Sequence, residues 1–266
     1  MGSVFSCKKI DASPTASPVT KKQGPSCCPS GSEPKLEAAN YTPRGTTQNL
    51  GDLPVYTVGK GEKAIVVIPD IYGPDGGRTK QICDQLADAG FFVVLPDVFK
   101  GNAWESEDFD GLFDWFPNYF WDKIKDDLET QLYPFLERKG VKSTGTIGFC
   151  YGVYVCFHMS ESGKFNAGVG FHPTLDKYPE SAQKLAELVK CPFYLVPAGN
   201  DPEVIREGGD VEKILKSKPF GKKVQVQTWT DVNHGWMPRG DLKQPEVAKR
   251  FKQGMELAIK YFKETL

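Results

Sequence analysis

The residues best suited to chemistry are Cys150, Asp201 and His234, met in that order along a chain of 266 residues. Cys150 is the middle of Gly148-Phe149-Cys150-Tyr151-Gly152. This has the form of the G-x-S-x-G nucleophile elbow, with a thiol in place of the hydroxyl. Thr144-Gly145-Thr146-Ile147 before it reads as a buried strand, and Val153 to Met159 after it as a packed helix. A strand that turns at once into a helix throws its middle residue onto a sharp bend. Side chains larger than hydrogen two residues to either side would collide there. The bend also aims the backbone N–H of Tyr151 at an anion forming beside the sulfur, at a helix N-terminus. The competing reading is a buried structural cysteine between two packing glycines.

Asp201 lies in Ala198-Gly199-Asn200-Asp201-Pro202, and His234 in Asp231-Val232-Asn233-His234-Gly235-Trp236. Each follows a strand-like run. A thiol is poorly ionised at neutral pH, an imidazole can take its proton, and a carboxylate orients and stabilises the imidazolium. The order nucleophile, acid, histidine is that of the α/β-hydrolase fold rather than of chymotrypsin or subtilisin. On this reading the thiol stays mostly protonated until substrate rearranges the site. Asp201 has an alternative role as a helix cap before Pro202. The chain has three histidines. His158, inside the elbow helix, is expected as a core or surface residue; His172, in Phe171-His172-Pro173, is a candidate pocket residue.

These groups need a scaffold, and the pattern supplies one. Ala64-Ile65-Val66-Val67-Ile68-Pro69 is a continuous apolar run, as a strand buried on both faces requires. Phe91 to Pro96, Ala167 to Phe171, Pro192 to Pro197 and Val224 to Trp229 read as further strands, and Leu53 to Gly59 as an edge strand closed by a tight hairpin at Gly59-Lys60-Gly61-Glu62. Helices are predicted over Thr79–Ala89, Phe120–Lys139 and near 180–190, 210–217 and 245–264. Alternation of strand and helix predicts a doubly wound, mostly parallel sheet flanked by helices, with the site beyond the strands' carboxyl ends. Residues 100–118, with Trp104, Phe109, Phe113, Trp115 and Phe116, suit a cap beside a pocket, or a loop packed on a neighbouring helix.

Balanced charge, 33 Lys+Arg against 34 Asp+Glu, gives no global field for nucleic acid. Mean hydropathy is −0.40, and no stretch approaches the roughly 18–20 apolar residues of a membrane span. Seven cysteines, without C-x-x-C pairs or a Cys/His cluster, argue against a disulfide framework or zinc site and for a reducing, cytoplasmic compartment. No metal and no cofactor are implied. Residues 1–45, rich in Ser, Pro, Lys, Gly and Thr, are expected as a flexible tail ahead of a domain over 46–266. Met1-Gly2-Ser3-Val4-Phe5-Ser6 fits the N-myristoylation pattern, and Cys7 suits palmitoylation beside Lys8 and Lys9. Two such signals would give peripheral membrane association. No secretory h-region follows. Cys27 and Cys28 are expected to be solvated, with no assigned role.

The folded part, about 52 to 264, resembles the dienelactone hydrolase (carboxymethylenebutenolidase) family. The likeness rests on Gly148-Phe149-Cys150-Tyr151-Gly152, Gly199-Asn200-Asp201, Asn233-His234-Gly235 and Ile68-Pro69-Asp70-Ile71-Tyr72-Gly73. It implies a Cys150-Asp201-His234 triad and a second carboxylate, Asp70, beside the nucleophile. It also implies an oxyanion hole from the N–H groups of Ile71 and Tyr151, and substrate contacts from Arg239, Tyr72 and Trp236. The family's first-loop acid is commonly Glu; Asp70 is one methylene shorter and would reach the thiol through a water or a backbone shift. Bacterial lactonases of the family clamp a substrate carboxylate with two arginines. Arg239 lies near the place of one, but no arginine occurs between Arg78 and Arg138 to supply the other. The expected function is hydrolysis of a small-molecule lactone or ester through an acyl-enzyme. The alternatives are a thioesterase or ester hydrolase on lipid-derived substrates, or a lipid-tethered binding module without catalysis.

Overall fold

The computed structural model describes residues 1–2, 28–36, 41–106 and 109–266. Cys7, Cys27 and most of the expected tail lie outside the described residues. The strands are β1 (Thr46–Leu50), β2 (Leu53–Val58), β3 (Lys63–Ile68), β4 (Phe92–Pro96), β5 (Ser143–Phe149), β6 (Ala167–Phe171), β7 (Phe193–Val196) and β8 (Gln225–Val226). They form one sheet in the order β1-β2-β4-β3-β5-β6-β7-β8. Neighbours from β4 to β8 are parallel, while β1 and β2 add an antiparallel edge. The helices are α1 (Thr79–Asp88), α2 (Leu112–Trp115), α3 (Trp121–Asp127), α4 (Tyr133–Arg138), α5 (Tyr151–Glu161), α6 (Ala182–Leu188), α7 (Asp210–Lys216), α8 (Trp236–Arg239) and α9 (Pro245–Thr265).

Side chains alternate across a strand, so β3 feeds two cores. Ile65 and Val67 meet Ile82 and Leu86 of α1 and Met255, Ala258 and Phe262 of α9. Val66 and Ile68 belong with Val153 and Phe157 of α5, Leu128, Leu132 and Leu185 on the other face. Ile65, Val66, Val67 and Ile68 are each 0 % exposed, and each such side chain contributes about 1.5–3 kcal/mol by burial. That double burial is why the strand reads as an unbroken apolar run, and it fixes the loops at the strand's end.

Four elements differ from expectation. Gly59 to Glu62 is not a hairpin: β2 pairs with β4, and β4 lies between β2 and β3, so the connection passes across a strand. The hairpin is instead β1–β2; β1 is exposed along most of its length and carries the polar sequence TTQNL, so no apolar alternation marked it. The helix over Phe120–Lys139 is α3 and α4 joined by a π-helical stretch at Leu128–Leu132. Pro134 enters just after this stretch and has no N–H to continue the i→i−4 ladder, so the chain widens there. The last strand shrinks to Gln225–Val226, followed by an isolated bridge from Ala198 to Trp229.

Within the aromatic stretch, Trp104, Trp115 and Phe116 pack on one another, and Phe116 packs on the elbow helix. Trp115 stacks on Phe99 with centroids 5.4 Å apart, and Phe116 meets the ring of Tyr151 edge-on at 5.9 Å.

Candidate active site

The elbow is forced by two close approaches. A Cβ on Gly148 would stand 2.5 Å from the carbonyl carbon of Gly152, and one on Gly152 would stand 2.3 Å from the carbonyl oxygen of Ile68. With both positions bare, β5 passes directly into α5 and Cys150 sits between them at φ 53°, ψ −114°. For a residue with a Cβ this is a strained backbone, held by the packing on both sides. Tyr151 is the first residue of α5, so its N–H is among those a helix's first turn leaves without an intrahelical acceptor. Cys150 is fully buried, and its Sγ lies 3.2 Å from Thr174 Oγ1.

The loop after β7 brings in the acid. Asp201 Oδ2 accepts the Ala198 N–H at 2.6 Å, which fixes the carboxylate, and its Oδ1 faces His234 Nδ1 at 2.6 Å. His234 is held from behind as well, its N–H donating to Asn200 Oδ1 at 2.7 Å. Both side chains of the Asp201–His234 pair are 0 % exposed. Burial disfavours the imidazolium, but the carboxylate of Asp201, with Cys150 and Cys28 beside it, holds the pKa of His234 well above 6.5. His234 Nε2 is buried and has no hydrogen-bond partner among the described residues.

Asp70 lies at the end of β3 and is turned to Arg239. Its Oδ2 accepts Arg239 Nε at 2.8 Å and its Oδ1 accepts the Tyr72 N–H at 3.0 Å. Burial pushes the Asp70 carboxyl up, and the guanidinium opposes that shift. The hydrogen bonds of the Asp70 carboxylate run to Arg239 and Tyr72, while Cys150 nearby pushes its pKa up further. Arg239 is 2 % exposed, with its guanidinium carbon 4.9 Å from the centroid of the Tyr72 ring. Its Nη2 has no partner among the described residues, so one donor of the group remains for an anion. Trp236 is a core residue here, edge-on to Phe171 at 5.5 Å and beside Trp229 at 5.0 Å. Tyr72 is buried under Arg239, at 6 % exposure.

Three further residues join the site: His172, the candidate pocket residue, and Thr174 and Cys28, which no sequence pattern placed there. His172 has φ 38°, and its ring is 4.9 Å from that of His234. Burial first, and the charge of His234 second, hold its pKa well below 6.5, so a neutral imidazole stands beside a charged one. Only its position after a strand pointed to it. Thr174 follows on the same loop, with no sequence signal. Cys28, expected to be solvated, is 5 % exposed and its Sγ is 3.9 Å from Cys150 Sγ. The physical reason is that residues 28–36 are hydrogen-bonded across the loops at the sheet's carboxyl end, which covers the thiol. His158 is a core residue, stacked on Trp121 with ring centroids 5.1 Å apart.

Residues 54–266 match the sequence profile described as the dienelactone hydrolase family. The chain is 32 % identical to an uncharacterised AIM2 family protein of Schizosaccharomyces pombe, over 91 % of this chain and 99 % of that one. It is 29 % identical to the hydrolase tropI of Talaromyces stipitatus, over 84 % and 91 % of the two chains. It is 28 % identical to the human carboxymethylenebutenolidase homolog, over 66 % and 71 %. Among solved structures, a dienelactone hydrolase-like promiscuous phosphotriesterase from metagenomic libraries superposes with a TM-score of 0.62 at 20 % identity, covering 84 % of this chain and 97 % of that one. The dienelactone hydrolase of Anabaena variabilis does so with 0.56 at 15 % identity, covering 84 % and 97 %. These superpositions place the chain in the α/β-hydrolase fold.

Proposed function

Because the chain belongs to the dienelactone hydrolase family and is a hydrolase of carboxylic esters, we propose that it opens a lactone or small ester through Cys150, His234 and Asp201. One observation carries this reading. His234 Nδ1 is tied to Asp201 at 2.6 Å, and its ring reaches within 4.8 Å of Cys150 Sγ, so its other nitrogen is the one turned to acyl transfer.

Cys150 Sγ attacks the carbonyl carbon, and the developing oxyanion is held by the N–H groups of Ile71 and Tyr151. The C–O bond breaks, the leaving oxygen takes the proton from His234 Nε2, and a thioester remains. His234 then removes a proton from water, which attacks the thioester and regenerates the thiol. The proton that His234 delivers is the one Cys150 gives up, and the raised pKa of His234 makes its imidazole the stronger acceptor for it. Family membership favours this chemistry over a binding module.

The test is hydrolysis of aryl acetates and simple lactones, with intact-mass analysis of quenched samples. Wild type should turn over and carry one acetyl group on the peptide containing Cys150. Cys150→Ala should lose both; full activity in Cys150→Ala sinks the reading.

The pattern Met1-Gly2-Ser3-Val4-Phe5-Ser6 supports acylation of Gly2, with Cys7 taking a second chain, and a hydrolase held at the cytosolic face of a membrane. A tether of that kind, with aromatic rings at Phe99, Trp115 and Tyr119 above the elbow helix, favours a lipid-derived ester or thioester as the second substrate class. Coexpression with an N-myristoyltransferase should add one myristoyl group, and Gly2→Ala should abolish the addition.

A further inference from the structure

Residues 28–36 cross the loops at the carboxyl end of the sheet as a strap. Asn200 Nδ2 donates to the Ser30 carbonyl at 3.0 Å, the Glu33 N–H donates to the His234 carbonyl at 2.7 Å, and the Gly77 N–H donates to the Leu36 carbonyl at 2.8 Å. Arg239 Nη1 donates to the carbonyls of Glu33 and Pro34. These bonds hold Cys28 over the elbow. Its Sγ, Cys150 Sγ and a ring nitrogen of His234 all lie within 4.8 Å of one another, and all three residues are buried. Acyl transfer uses the second and third of these groups and has no use for the first.

We propose that Cys28 Sγ, Cys150 Sγ and His234 Nε2 form a binding site for a soft divalent cation of the zinc type, which silences the nucleophile and ties the strap down. The sulfur spacing fits a metal: tetrahedral zinc with Zn–S near 2.3 Å sets two sulfurs about 3.8 Å apart, and the two are 3.9 Å apart here. The imidazole is prepared in the same sense. Asp201 occupies Nδ1, leaving the partnerless Nε2 as the ligating nitrogen, and a carboxylate on the far nitrogen is what fixes the ring of a metal-bound histidine. On binding, the proton of Cys28 and the one shared between Cys150 and His234 Nε2 pass to solvent, which frees Nε2 to ligate and leaves two thiolates to balance the double charge of the cation. A sulfur ligated in this way cannot attack a carbonyl, so occupancy and hydrolysis exclude each other. The inference shares Cys150 and His234 with the hydrolytic reading, but its test is read as binding and needs no substrate.

The experiment titrates reduced, metal-free full-length protein with Cd²⁺ alone, following thiolate-to-metal absorption, and repeats it with Zn²⁺ in competition with a chromophoric chelator. Wild type should bind one equivalent with a two-thiolate absorption. Cys28→Ala should bind at least about a hundredfold more weakly, since losing a ligand costs no less than the roughly 10–100-fold of losing a group that only orients one. Cys28→His, which keeps a ligand at that place, should recover part of the affinity, and Cys27→Ser should keep all of it. Thermal melts of the variants register any loss of folding separately. Equal affinity in folded wild type and Cys28→Ala, or no site in wild type, overturns the proposal. If the binding result holds while no ester is hydrolysed, the hydrolytic reading alone fails; the reverse outcome removes only the metal site.

Discussion

Arg239 and Asp70 form an ion pair, Nε to Oδ2 at 2.8 Å, with side chains 1 % and 0 % exposed. The two are far apart in sequence: Asp70 follows β3, while Arg239 ends α8 just after the His234 loop. Their pairing therefore ties the first loop of the site to the last. A carboxylate on so short a side chain lies against the guanidinium, with Cys150 still near enough to raise its pKa.

Removing Asp70 should be severe. Asp70→Ala leaves a guanidinium buried without its charge partner, which costs about 3–5 kcal/mol. The double variant Asp70→Leu with Arg239→Met should be less destabilised than the sum of the single changes, with a coupling of about 1–3 kcal/mol. Urea unfolding of wild type, Asp70→Ala, the single variants Asp70→Leu and Arg239→Met, and the double variant gives both numbers. Additive losses would mean the pair is solvated in solution.

The glycines of the elbow can be weighed against one outside it. Gly152→Ala drives a Cβ to 2.3 Å from the Ile68 carbonyl and 2.8 Å from that of Pro69. Both are backbone atoms in the central strand region and cannot rotate away. The cost should reach or exceed the upper end of the about 1–3 kcal/mol typical of overpacking. Gly163→Ala has a positive φ of 71° and nothing within 4 Å, so it should cost only the about 1–2 kcal/mol of left-handed backbone. Comparing the midpoints of urea unfolding checks the order.

What sequence could and could not disclose follows from the range of each signal. The buried strands and the elbow are local patterns: apolar runs, alternation, and glycines two residues from a bend. The order Cys150, Asp201, His234 was legible because each follows a strand, and parallel strands deliver their ends to one edge. β1 was not, since a polar edge strand has no apolar period. Cys28 was not, because its burial depends on hydrogen bonds of the strap with Asn200, His234, Gly77 and Arg239, far away in sequence. The π-helical stretch before Pro134 was legible in principle, because the missing N–H is local.

His158 should make stability depend on acid. Burial pushes its pKa down to about 4 from an ordinary 6.5, and neither ring nitrogen has a partner among the described residues. The unfolded chain therefore takes up a proton below pH 6.5 that the folded chain refuses until about pH 4. The stabilisation is complete above the unfolded value and is lost as pH falls through this window, amounting to about 3 kcal/mol in all. His158→Phe keeps the aromatic stack on Trp121 without a titrating group. Between pH 7 and about pH 4.5 wild type should lose about 2 kcal/mol more than the variant. Parallel loss in the two proteins would assign the acid sensitivity elsewhere.

Asp201→Asn separates orientation from structure. The carboxylate accepts on both oxygens, from the Ala198 N–H at 2.6 Å and toward His234 Nδ1 at 2.6 Å. An amide has one acceptor and one donor end, so one of the two contacts must invert. If the oxygen stays on the Ala198 N–H, the loop after β7 is kept and the NH₂ group faces His234. The imidazole must then place its lone pair on Nδ1 and its proton on Nε2, which removes the base that faces Cys150. Ester turnover should fall by roughly 10³–10⁴-fold, while the thermal midpoint moves by only a few degrees. A loss of similar size in Asp201→Ala, with the histidine free to rotate, would fit the same cause. A variant that retains more than about a tenth of the wild-type rate would show that Asp201 caps its loop and leaves catalysis to other groups.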